Sequence, residues 1–183
     1  RIDDEHSHIE HLKPQCRCES GEDVDYGNLL ACHPGPQAWS DYGARRKEDW
    51  WPKDSAPLDT HFVSPLHPHC EQRFRYDLNG NMQPSRSDDA AAIQTIEILD
   101  LNNSTLIALR KARVLAVLKN HRKQFLSIGE TERKLAELDG QDAQGRLPPF
   151  LAAIRQALQG HLERLQRAQK KKQFAARARR RDE

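Results

Sequence analysis

His8-Ile9-Glu10-His11, answered seventeen residues after His11 by Asn28-Leu29-Leu30-Ala31-Cys32, is the stretch on which the fold of this chain turns. On a strand, side chains alternate, so His8 and Glu10 share one face and His11 takes the other. The second apolar run reads as the return strand, and a hairpin of this length brings Asn28 back beside His11. An acid and a histidine side by side suit phosphodiester hydrolysis. An imidazole titrates near neutrality and can take a proton from water. A carboxylate can hold a hard cation that keeps most of its waters, and such a cation neutralises the phosphate and the leaving oxygen. On this reading Glu10 is a metal ligand, His8 on its face is a second, and His11 is the base. The same residues also read as a surface histidine cluster beside an ordinary turn asparagine. Spacing alone leaves both readings open.

Outward from this pair, four blocks follow in order over about residues 8–113. They are Ile9-Glu10-His11-Leu12-Lys13-Pro14, Asp25-Tyr26-Gly27-Asn28-Leu29-Leu30-Ala31-Cys32, the proline-rich loop at 64–70 leading into Arg73-Phe74-Arg75-Tyr76-Asp77-Leu78-Asn79-Gly80, and Ala92-Ile93-Gln94-Thr95-Ile96-Glu97-Ile98-Leu99-Asp100-Leu101-Asn102. Together they resemble the HNH-type nuclease subunits of bacterial anti-phage defence that partner an ATPase in Septu and certain retron systems. The resemblance implies an α+β fold: a small ββα-metal (HNH) module over 1–85, then a helical region over 86–183 with a basic C-terminal arm. It implies a metal-dependent endonuclease with His11 and Asn28 as catalytic residues, Asn28 orienting the histidine or lining the site. It implies a divalent cation, Mg²⁺ or Mn²⁺, and an ABC- or SMC-like ATPase partner that holds the nuclease idle. DNA is the expected substrate, ahead of RNA. The chain departs from the family at Tyr42, where a cysteine is expected, and near Ala44, where a histidine is expected. The third metal-site residue is therefore absent or moved, and Glu48 or Asp49 is the candidate replacement. A structural zinc would draw on Cys32. Arg45, Arg46 and Lys47 on an expected short helix near 43–50 are candidate phosphate contacts. The departures keep a second expectation alive, a catalytically degenerate nucleic-acid-binding or adaptor subunit.

Residues 1–85 hold eight of the ten prolines and all three tryptophans, and read as short strands and loops. Asn79-Gly80 is a hairpin turn signal. Trp39, Trp50 and Trp51 are expected chiefly as core anchors, with base stacking as the lesser reading. From Ser87, a fair N-cap, the pattern turns helical, with Ile93, Ile96 and Leu99 at helical spacing. A second helix follows Asn102-Asn103-Ser104, with Leu106, Leu109, Val114, Val117, Leu118 and Phe125 expected on its broad apolar face. A shorter helix is expected over 130–138, ending at Gly140. Pro148 and Pro149 suit the start of a last helix whose stripe is Leu151, Ile154, Leu158, Leu162 and Leu165.

Whole-chain charge names no partner, with 29 Lys and Arg against 27 Asp and Glu in 183 residues. Its distribution is informative: nine Lys or Arg fall between Arg164 and Glu183. No apolar run is long enough to span a bilayer, and no signal peptide is visible. Four cysteines without a secretory signal suggest a reducing, cytoplasmic setting. The chain opens at Arg1 rather than a methionine, so residues are expected upstream. No glycine-rich phosphate loop is present, so ATP hydrolysis would fall to a partner.

Overall fold

The computed structural model describes residues 7–33, 40–53 and 56–179. Trp39 lies outside the described residues, as do Arg180 and Arg181 of the basic run. The fold is mixed α+β, with two small antiparallel sheets and five helices among the described residues. β1 (His8–His11) pairs with β2 (Leu29–Cys32), His8 opposite Cys32 and His11 opposite Leu29. Three short 3-10 turns fill the connection, at Gln15–Arg17, Glu22–Val24 and Tyr26–Asn28. A one-turn helix, α1 (Ala44–Lys47), follows. The second hairpin joins β3 (Phe74–Tyr76) to β4 (Met82–Pro84). Its turn closes on Gly80 at φ 91°, the left-handed conformation that Asn79-Gly80 predicts. Then come α2 (Ala90–Ile98), α3 (Ser104–Val117), α4 (Ile128–Glu137) and α5 (Leu151–Arg179). Among the described residues no helix is long and apolar enough to cross a membrane.

The chain divides into two compact units. The first comprises Arg1–Arg75 and Asn81–Ile107. Phe62, Val63, Phe74, Met82, Ala91, Ala92 and Ile96 are buried in it. Trp50 packs its ring 5.8 Å from that of Phe62, the anchoring role expected of it. Side chains stand in for strand partners here. The Thr95 hydroxyl accepts from the Val63 N–H at 2.7 Å and donates to the Ala91 carbonyl. Asn102 accepts from the Met82 N–H at 2.8 Å and donates to the Met82 carbonyl at 2.9 Å, so one amide satisfies both main-chain groups of a buried strand residue.

α2 starts later than the sequence suggests. Its N-cap is Asp89, not Ser87: the Asp89 carboxylate accepts the Ala92 N–H at 3.0 Å and a two-pronged ion pair from Arg73. A planar guanidinium that fixes the carboxylate at the helix start outcompetes an unanchored serine. Arg73 holds the Asp89 carboxyl below its ordinary value of 3.8, against the opposing effect of burial. The ionised, capping form therefore stabilises the fold in full above that ordinary value. The contribution disappears as pH falls through the lowered native-state pKa. Asp89→Ala should lower the urea-unfolding free energy by about 1–2 kcal/mol at pH 7. That difference should shrink at pH 2.5, and a pH-independent difference would contradict the cap.

The second unit comprises Tyr76–Gly80 and Ala108–Glu183. Its core is Val114, Leu118, Leu126, Leu138, Ala153, Ile154 and Leu158, with Tyr76 and Phe150 packed against it. α4 opens with a reciprocal capping box: Ser127 receives the Glu130 N–H, and the Glu130 carboxylate accepts the Ser127 N–H at 2.7 Å. It begins at Ile128, two residues before the expected 130. Phe125 does not continue the apolar face of α3; it is 58% exposed, and Leu109 is 47% exposed. α3 stops at Val117 because Asn120 captures the N–H groups of Arg122 and Gln124, and Lys119 bridges to Phe125. The buried His161 donates Nε2–H to the Leu126 carbonyl at 2.8 Å, tying α5 to this turn.

Candidate active site

His11 and Asn28 both serve the loop between β1 and β2. The His11 Nε2 lies 2.9 Å from the carbonyl oxygen of Asp23. A carbonyl only accepts, so Nε2 carries the proton, and in the neutral ring Nδ1 is left with a free lone pair. Asn28, 9% exposed, commits its amide inside the loop. Its Oδ1 accepts the Lys13 N–H at 2.6 Å, and its Nδ2 donates to the carbonyls of Lys13 at 3.2 Å and Glu22 at 3.1 Å and approaches the Cys18 sulfur at 3.4 Å. The Asn28 main chain accepts the Leu12 N–H at 2.8 Å. Asn28 therefore extends the β-ladder with its side chain and fixes the Glu22–Val24 turn, the turn that offers His11 its carbonyl. A Lys13–Glu22 ion pair clamps the same loop. Asp25 shapes the approach to Asn28 by accepting the Gly27 N–H at 2.9 Å.

Glu10 lies on the other face of β1, and its side chain turns to His8: Glu10 Oε1 and His8 Nε2 are 2.8 Å apart. Cys32, opposite His8 in the ladder, and Lys47 complete this face. Lys47 is not a solvent-facing phosphate contact. It is 8% exposed and its Nζ donates to the His11 carbonyl at 3.4 Å. The chain reverses just after it, at Glu48, with φ 48° and ψ −132°, a conformation that costs a non-glycine residue energy. Burial lowers the Lys47 pKa, opposed by the nearby charges of Glu10 and Asp49. Burial likewise raises the Cys32 thiol, helped by Glu10, which keeps it protonated at neutral pH.

The three groups expected to meet around one cation thus divide. His11 and Asn28 face the loop, while Glu10 faces His8, Cys32 and Lys47. Asp49 is exposed, within electrostatic reach of Lys47. Arg46 is exposed and Arg45 half-buried on α1. Among the described residues no three His, Cys, Asp or Glu side chains form a group that could hold a metal ion. Glu10 Oε1 and His8 Nε2 are joined to each other by the 2.8 Å hydrogen bond, which a cation held by this pair would have to replace. Sequence reasoning missed Lys47 as an internal partner and the Asp23 carbonyl as the acceptor for His11. A backbone acceptor leaves no trace in residue type, and the burial of Lys47 depends on the reversal at Glu48, which local sequence does not signal. No protein-family model matches this chain, and no curated protein matches it.

Proposed function

We propose that this chain is a divalent-cation-dependent endonuclease subunit acting on DNA, with His11 as general base. The observation that carries the reading is the His11 hydrogen bond to the Asp23 carbonyl, which fixes the tautomer and leaves the Nδ1 lone pair as a base on the face of β1 opposite Glu10. Glu10 and His8 would hold the cation, the rest of its shell being water. Such a cation, when bound, neutralises the phosphate and the leaving oxygen. The residues of the chain do the remainder: Nδ1 of His11 takes the proton of the attacking water, and Asn28 positions that imidazole through the Glu22–Val24 turn. An ATPase partner and a role in anti-phage defence, in the cytoplasm, rest on the sequence resemblance. The test is relaxation of supercoiled plasmid by the full chain with Mg²⁺ or Mn²⁺, alone and with an ABC- or SMC-like ATPase added as candidate partner. No EDTA-sensitive nicking under any of these conditions would sink the reading.

A second reading rests on Lys47. A buried ammonium within reach of Glu10 supplies the positive charge that a metal otherwise brings, and makes the face a structural ion cluster. The chain is then a nucleic-acid-binding or adaptor subunit. Calorimetric titration with Mn²⁺ separates the two. Glu10-dependent binding supports the nuclease, and its absence supports the adaptor.

A further inference from the structure

From Gln166 to Arg177 every side chain of α5 is exposed, yet the helix runs on to Arg179. Between Arg164 and Arg177 stand six Lys or Arg and no acid. Five of the six are ordered on one face, and Lys172 falls on the opposite side, in line with Ile154. Residues seven apart on a helix fall within about 20° of the same direction. Arg164 and Lys171 are one such pair, Lys170 and Arg177 another, and Arg167 and Phe174 lie between them. The result is a stripe with cations along both edges and an exposed phenyl ring, 75% accessible, on its midline. It points away from the face that carries Ile154, Leu158 and Leu165. Arg167 pairs with Glu163 at 3.1 Å, but Lys170, Lys171 and Arg177 have no acidic side chain within ion-pair distance among the described residues. Uncompensated cations on a helical stretch whose side chains are all exposed raise its energy through self-repulsion.

We infer that this stripe of α5 is a docking helix for the major groove of double-stranded DNA. A helix with side chains is about 10–12 Å across, and the groove is about 12 Å wide. The two cationic edges reach the phosphates of the two flanking strands, and Phe174 faces the base edges, where a thymine methyl is an apolar partner. A membrane surface fits less well, because interfacial helices need a broad apolar face and Phe174 is the only large apolar residue beyond Leu165. Duplex RNA fits less well because its major groove is too narrow for such entry. The inference shares DNA as target with the proposed nuclease but does not depend on cleavage.

The test is fluorescence anisotropy of the full chain carrying His11→Ala, in EDTA, against a labelled 20-base-pair DNA duplex, the same duplex as RNA, and vesicles containing phosphatidylserine. The triple variant Lys170→Gln, Lys171→Gln, Arg177→Gln keeps good helix formers. It should bind duplex DNA about 10–100-fold more weakly at 0.1 M salt. The slope of log affinity against log salt should fall by about 2–3, one released counterion per lost phosphate contact. Phe174→Ala should cost less and leave the slope unchanged. Circular dichroism should show helix content retained in both. An unchanged affinity and slope in the triple variant would overturn the inference. So would equal binding to duplex RNA, or stronger binding to the vesicles. Because cleavage is switched off, loss of nicking in the plasmid assay and loss of binding here report on different claims.

Discussion

His11→Ala should lower plasmid cleavage by about 10²–10⁴-fold, the usual worth of a positioned general base, while the fold survives. The ring contributes one hydrogen bond to the structure, to the exposed Asp23 carbonyl, worth about 0.5–1.5 kcal/mol. Added imidazole should restore part of the rate to the alanine variant, because the missing function is a proton acceptor of that size. The acceptor for His11 is a main-chain oxygen, so Asp23→Ala should cleave at close to the parental rate, although Asp23 is an acid next to the site. Glu10→Ala should also lose cleavage, by a different route: it removes the carboxylate proposed to hold the cation and strands the buried Lys47 ammonium. Parental rates in both His11→Ala and Glu10→Ala would mean that neither side of β1 does chemistry. Loss in Asp23→Ala alone would mean that the carboxylate, rather than the tautomer-fixing carbonyl, is the active group.

The parts legible in the sequence are those governed by short-range rules. Strand alternation placed Glu10 with His8 and against His11, because the pleat allows nothing else. Leu158 and Ile154 were legible as core because a helix buries the residues at its repeat, and Gly80 because few residues tolerate its φ. The failures are competitions between partners. Ser87 and Asp89 both look like caps, and only the distant Arg73 selects Asp89. Phe125 continues the apolar spacing of α3 on paper, but Asn120 ends the helix first by gathering N–H groups. Lys47 reads as an exposed basic residue beside Arg45 and Arg46. Its burial depends on the backbone reversal at Glu48 and on a carbonyl 36 positions earlier in the chain, neither of which a local pattern encodes. The convergence expected of Glu10, His11 and Asn28 failed for the same reason. A hairpin brings Asn28 near His11 in register, but nearby main-chain groups at Lys13 and Glu22 claim its amide first.

Asn28→Ala should therefore act on the loop before it acts on any chemistry, lowering stability by about 2–4 kcal/mol. The methyl group leaves the Lys13 N–H without its acceptor and leaves the Lys13 and Glu22 carbonyls only their longer 3.4 Å contacts, from the Cys18 thiol and the Asp25 N–H, at a position only 9% exposed. Unsatisfied groups of this kind cost about 1–3 kcal/mol each, less what water recovers in a partly exposed loop. Asn28→Asp is the sharper probe. It keeps the oxygen for Lys13 N–H, but turns the donor toward two carbonyls into a second anionic oxygen, so it should destabilise as much as alanine. Were Asn28 instead a cation ligand, aspartate would strengthen the ligand set and tighten Mn²⁺ binding. Urea midpoints and amide exchange across residues 13–28 read the first outcome, and calorimetry reads the second. In the scaffold role, exchange should accelerate across the Glu22–Val24 turn in both variants, and cleavage should fall with it because His11 loses the carbonyl that sets its tautomer. A stable Asn28→Asp variant that binds Mn²⁺ more tightly would put the amide at the metal and remove its role as the brace behind His11.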